Sequence, residues 1–182
     1  MPVTADSYEA KVMERATFML CSCASFRAAL AAVLGVTVPD ATAAKAYVIE
    51  SWGGDGKRHL NVPKVTFADG VERALPRMYA IIDLGEDGVL TEEAGIASDD
   101  YSWRIVITIW VPRLLTGETA PDAIRRARNL QGNVRTDYRA QFGATNCLAR
   151  MRSCAAAAVL PPPAEGADAD KIQIPLEFDC YG

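Results

Sequence analysis

The sequence predicts an α+β fold, a small mixed and mostly antiparallel sheet flanked by helices. Three observations lead there. Apolar residues recur at helical spacing between Asp6 and Gly35 and again between Ala120 and Phe142. Two strongly apolar, β-branched segments, Met78–Leu84 and Tyr101–Val111, read as strands. The last segment, Ile172 to Cys180, alternates apolar and polar residues as a half-buried strand does. The length of 182 residues, half of them apolar and 23% charged, fits one domain spanning residues 1–182.

The first helix is expected to start at Asp6, with Glu9 three residues later in a capping-box arrangement. Tyr8, Val12, Met19, Phe26, Leu30 and Val33 mark its buried side, and Gly35 ends it before Val36-Thr37-Val38-Pro39. Residues 46–50 then read as a strand and Trp52 to Arg58 as a Gly-rich turn. A second short strand is expected over Val62–Phe67, closed by Asp69-Gly70.

Met78–Leu84 and Tyr101–Val111 are expected to pair as an antiparallel hairpin. The odd positions of the second strand form its apolar face, Ser102, Arg104 and Thr108 lie on the other, and Pro112 ends it. Thr119 caps the next helix, with Pro121 and Asp122 in its first turn. Its apolar stripe is read as Ile124, Ala127, Leu130, Val134 and Tyr138, with Gly132 a point of weakness and Gly143 the stop. Residues 146–160 fit either a helix or a buried strand. Pro161-Pro162-Pro163 opens an exposed connection, and Pro175 puts the terminal strand at or near a sheet edge.

Common catalytic chemistry finds little material here. The chain has a single histidine, His59, beside the Gly-rich turn, where a solvated loop residue is the expected reading. That turn lacks the G-x-x-x-x-G-K-[ST] spacing of a phosphate loop. Five cysteines, Cys21, Cys23, Cys147, Cys154 and Cys180, form no regular framework and suggest reduced thiols in a cytosolic setting. Cys21-Ser22-Cys23 admits a redox or metal pair, but two small buried or half-buried helix residues are the favoured reading. No catalytic residue, cofactor or metal is therefore expected. No window offers the roughly 20 strongly apolar residues of a membrane span, and the N-terminus lacks the pattern of a secretion signal.

Charge is the more informative feature. The segment between the two strong strands carries Glu86, Asp87, Glu92, Glu93, Asp99 and Asp100 and no Lys or Arg. It lacks the EF-hand ligand pattern, and a solvated loop or partner-facing patch is favoured over a calcium site. The last long helix carries Arg125, Arg126, Arg128, Arg135 and Arg139. Such a face can be merely solvated, can meet a protein, or can meet nucleic-acid phosphate. The formal net charge of −4 gives no overall basic field in favour of the last. An acidic segment and an arginine face on one chain would let copies join head to tail, and such an interface closes into a ring where the rotation permits.

The order of these segments resembles the tail terminator or tail-completion proteins of long-tailed bacteriophages. The likeness is carried by the opening helix with Phe26-Arg27-Ala28-Ala29-Leu30, the segment Pro76 to Asp87, its hairpin partner Tyr101–Val111, the helix Ala120–Phe142 and the terminal Ile174-Pro175-Leu176-Glu177-Phe178-Asp179. It is one of order and texture over most of the chain, without a strict motif. The resemblance implies a ring, usually a hexamer, at the tail-head junction of a virion, assembled in the host cytoplasm. Such a ring ends tail-tube polymerisation and docks to the head connector, and nucleic acid meets it only by passing through the lumen. Neighbouring neck, connector or minor tail proteins are the nearest alternative. A small enzyme or ligand-binding domain, or a host-side nucleic-acid binder, are alternatives of other classes.

Overall fold

The computed structural model describes residues 8–52, 63–84, 102–141, 150–156 and 171–181. Helices α1 (Tyr8–Ser22), α2 (Ala24–Leu34) and α3 (Ala41–Ala44) come first, followed by strand β1 (Val48–Trp52). Two short strands, β2 (Val65–Thr66) and β3 (Glu72–Arg73), precede β4 (Tyr79–Leu84) and β5 (Ser102–Pro112). Helix α4 (Ala120–Ala140) leads to β6 (Arg150–Ala156) and β7 (Lys171–Tyr181). The fold class is α+β, as the sequence predicts: a five-stranded sheet in the order β1-β4-β5-β7-β6, with β2-β3 as a separate pair. The β1–β4 pairing is parallel and the other pairings of the sheet are antiparallel, including the expected β4–β5 pair.

Strand alternation sorts the sheet into two faces. Val48, Ala80, Ile82, Ile105, Ile107, Ile109 and Val111 face α1, α2 and α4 in the larger core, which is closed by Met13, Leu20, Phe26, Leu30, Ala127, Val134 and Tyr138. Ile49, Tyr79, Ile81 and Trp110 face the other way, where Val65 and Phe67 cover them. The Tyr79 and Trp110 rings stack there with centroids 6.1 Å apart. The apolar odd positions of the long strand are thus the helix-facing set. Gly35 caps α2 in the left-handed region at φ 67°, and its N–H reaches Ala31 O at 2.9 Å.

Several expectations need correction. The single helix over Asp6–Gly35 is two helices, bent by 65° at Cys23. Cys23 takes an extended conformation (φ −63°, ψ 117°) as the N-cap of α2, and its N–H closes α1 onto Leu20 O at 3.0 Å. Gly132 causes no break, for α4 runs unbroken past it, and Thr136 Oγ1 donates to Gly132 O at 2.9 Å. The apolar stripe of α4 begins at Ala123 rather than Ile124, because 123, 127, 130, 134 and 138 share one face and Ile124 stands 46% exposed beside it. Pro112 closes β5 as its last paired residue, opposite Lys171. The open choice at 146–160 is resolved by a strand over Arg150–Ala156. The terminal strand lies near the sheet edge as expected, for β7 is one place in from it, and the described β6–β7 pairs run as far as Ala156 opposite Leu176, next to Pro175. The expected Asp6–Glu9 cap, the Gly143 stop, His59 and Cys147 lie outside the residues whose side chains are described.

Pairing also gives α4 its direction. Its first half is tied to the far end of β5, where Arg126 Nη2 donates to Pro112 O at 2.8 Å. The strand that follows it starts at Arg150, opposite Tyr181, which in turn faces Ser102 at the near end of β5. Helix α4 therefore returns along the length of the sheet.

Candidate functional site: the arginine flank of α4

Two parts of α4 carry polar chemistry. The first is its C-terminal end, which meets the α1–α2 bend. Asp137 Oδ2 accepts from both Ser25 N–H (2.8 Å) and Ser25 Oγ (2.7 Å) and so caps α2, whose own N-cap residue provides no side-chain bond. Gln141 Nε2 donates to Met19 O at 2.8 Å and so satisfies a carbonyl at the end of α1. The Cys23 thiol donates to the same carbonyl at 3.2 Å.

The two cysteines of the bend are buried. Burial pushes both thiols up from 9.0 to about 12, helped at Cys23 by the Asp137 carboxylate and opposed at Cys21 by Lys45. Neither supplies a thiolate at neutral pH, so the favoured reading of Cys21 and Cys23 as small buried residues agrees with their setting, although Cys23 stands at the break between the helices rather than within one. An open cavity of about 400 Å³ lies beside the bend, between Arg15, Phe18, Ser22 and Gln141. The Arg15 guanidinium lies 5.7 Å from the Phe18 ring centroid on its rim. Its polar lining is Arg15, Ser22 and the capping residues Asp137 and Gln141, and among the described residues no group of three or more His, Cys, Asp or Glu is placed to hold a metal. No single helix among the described residues is long and apolar enough to cross a membrane.

The second part is the outer flank of α4. Positions 125, 128, 132, 135 and 139 are spaced by three and four in turn, so they share one line along the helix, away from the buried face. That line is Arg125, Arg128, Gly132, Arg135 and Arg139, about 21 Å long at ~1.5 Å per residue. Arg125, Arg128 and Arg139 are exposed and Arg135 is half-buried. Arg125 makes a loose pair with Asp122 (3.4 Å) at 73% side-chain exposure. Arg128, Arg135 and Arg139 form no ion pair among the described residues, and the Nε of Arg135 is shielded from water without an acceptor.

Arg126 does not belong to this line. Its Nε and Nη2 grip the two carboxylate oxygens of Glu118 at 2.8 and 3.0 Å, and it also holds Pro112 O. That grip keeps the Glu118 carboxyl below its ordinary 4.5. The five arginines expected on one face are thus four on a line and one structural clasp. The spacing alone carried that division, since 126 stands one position off the 125-128-132-135-139 series. The cap by Asp137 and the Gln141 bond have no sequence signal, because their partners lie more than a hundred residues away. The acidic residues Glu86, Asp87, Glu92, Glu93, Asp99 and Asp100 lie outside the described residues, in the connection between Leu84 and Ser102. No family model, curated protein or solved structure matches the chain.

Proposed function

We propose that this chain is a self-assembling virion structural protein, a tail terminator that forms a ring at the tail-head junction. The observation that carries self-assembly is the line of four arginines on α4, which has no strong partner among the described residues, in a chain that also carries a segment whose only charges are acidic. Where such opposite charges lie on different sides of the subunit, they favour head-to-tail contact, and that contact closes into a ring when the rotation between copies permits. The resemblance of the segment order to the tail-terminator family supports the location in this proposal: one face on the tail-tube protein, the other on the head-tail connector, with nucleic acid passing through the lumen.

Native mass spectrometry on the full chain, alone and with tail-tube and connector proteins, tests this reading. A discrete ring, hexameric in the terminator reading, that dissociates as salt rises is the expected result. A strict monomer at high concentration and low salt, also with those partners present, overturns it. Capture by the connector but not by the tube would move the protein to the neighbouring connector role.

A further inference from the structure

Gly132 sits at the middle of the arginine line, between Arg128 and Arg135. A glycine inside an exposed helix lowers helix stability relative to alanine, so its presence calls for a reason. Packing within the protomer gives none, for a Cβ added at Gly132 would meet no atom within 4 Å. Its φ is not in the left-handed region either. What glycine does provide is a gap in the side-chain cover of the helix, where another backbone can approach closely. The gap is bracketed by guanidiniums on both sides, and Ile124 stands exposed along its border.

Taking the self-assembly reading as its basis, we propose that this gap is the docking point for the acidic segment, residues 86–100, of a second copy of the chain. Charge complementarity selects the occupant. Residues 86–100 hold six carboxylates and no cation, and the line holds four guanidiniums. Guanidinium forks bind carboxylates in paired hydrogen bonds, and the shielded Nε of Arg135 gains an acceptor that it lacks among the described residues. The segment's backbone passes closest to α4 at Gly132, with Arg125 and Arg128 gripping one half and Arg135 and Arg139 the other. Arg126, held by Glu118, takes no part.

Sedimentation of the full chain at low salt tests this, with thermal melting of each variant as a control for folding. Gly132→Ala is the decisive substitution, because the solitary protomer and the docked one answer it in opposite directions. Its melting point is expected to rise by about 2–4 °C, while the dissociation constant of the assembly rises at least about fivefold as the added methyl meets the partner. Assembly equal to or tighter than that of the parent chain overturns the close approach. The double variant Arg128→Glu with Arg139→Glu is expected to fold and to lose assembly. Mixing it with a Glu92→Lys, Glu93→Lys copy is expected to restore association between unlike copies, and failure of that rescue removes the acidic segment as the occupant. If the parent assembles but ignores all these changes, the docking proposal fails and the ring reading stands. If the parent does not assemble, the ring reading itself fails. Binding of a single-stranded oligonucleotide that the double variant loses, with assembly unchanged, would overturn the proposal in favour of a nucleic-acid surface.

Discussion

The C-terminal end of α4 and its outer flank are built on the same helix, yet their polar groups have opposite fates. At the end, Asp137 meets two donors of Ser25 and Gln141 meets the last turn of α1. Along the flank, Arg128, Arg135 and Arg139 meet no carboxylate among the described residues. Arg126 belongs with the first group although its neighbours in sequence belong to the second. The contrast separates charge that holds the fold from charge that is available to another molecule. Residue type does not make that distinction. Position on the helix and the presence of a fixed partner do.

The largest effect is expected where the fold depends on a remote carboxylate. Asp137→Ala removes the acceptor of a backbone N–H and a hydroxyl at the first turn of α2. Hydrogen bonds to a charged group, lost at a part-buried site, put the cost at about 2–3 kcal/mol in urea unfolding. Asp137→Asn keeps one acceptor oxygen and should recover part of it. Equal stability of Asp137→Ala and the parent chain would show that the bend does not need this cap.

The same bend marks the limit of what the sequence makes legible. The long strand, the capped start of α4 and the stop at Gly35 each follow from signals a few residues wide, and the structure has them all. The break at Cys23 carries no Gly or Pro. It is stabilised by Asp137 and Gln141 across 112 and 122 residues of sequence, and the alanine-rich segment reads as one helix without them. Ile124 misleads for a related reason. Hydrophobicity places it in the apolar stripe, but the face that packs is chosen by Ala123 and Ala127, whose small side chains admit the helix close to its neighbours. The four-arginine line and the exclusion of Arg126 from it are legible in the spacing, whereas the partner that holds Arg126, Glu118, is seen only in the fold.

The thiols of the bend give the next effect. Both remain protonated in the fold up to about 12, against 9.0 in an open chain. A raised folded value means that their contribution is complete below pH 9 and is lost as pH rises toward 12, because the unfolded chain gives up its protons first. By pH 10 each thiol should have withdrawn about 1 kcal/mol, and Cys21→Ala should flatten that alkaline decline relative to its own stability at pH 7. Native-state alkylation of Cys21 and Cys23 should proceed no faster than unfolding. Rapid labelling at pH 8 would mean the bend opens on its own.

The finest test sets two arginines of one helix against each other. Arg126→Gln breaks a partly shielded, two-pronged grip on Glu118 and a bond to Pro112 O, and is expected to cost about 1 kcal/mol. Because Arg126 lowers the Glu118 carboxyl below 4.5, this difference between parent and variant is full above pH 4.5 and fades as pH falls through the lowered folded value. Arg128→Gln removes a guanidinium with no ion pair among the described residues and should change stability by less than about 0.5 kcal/mol at any of these pH values. Should Arg128→Gln instead destabilise the isolated protomer as much as Arg126→Gln does, Arg128 would be holding the fold as well. The flank would then have less charge left over for a partner, and the distinction between the two ends of the comparison would rest on Arg135 and Arg139 alone.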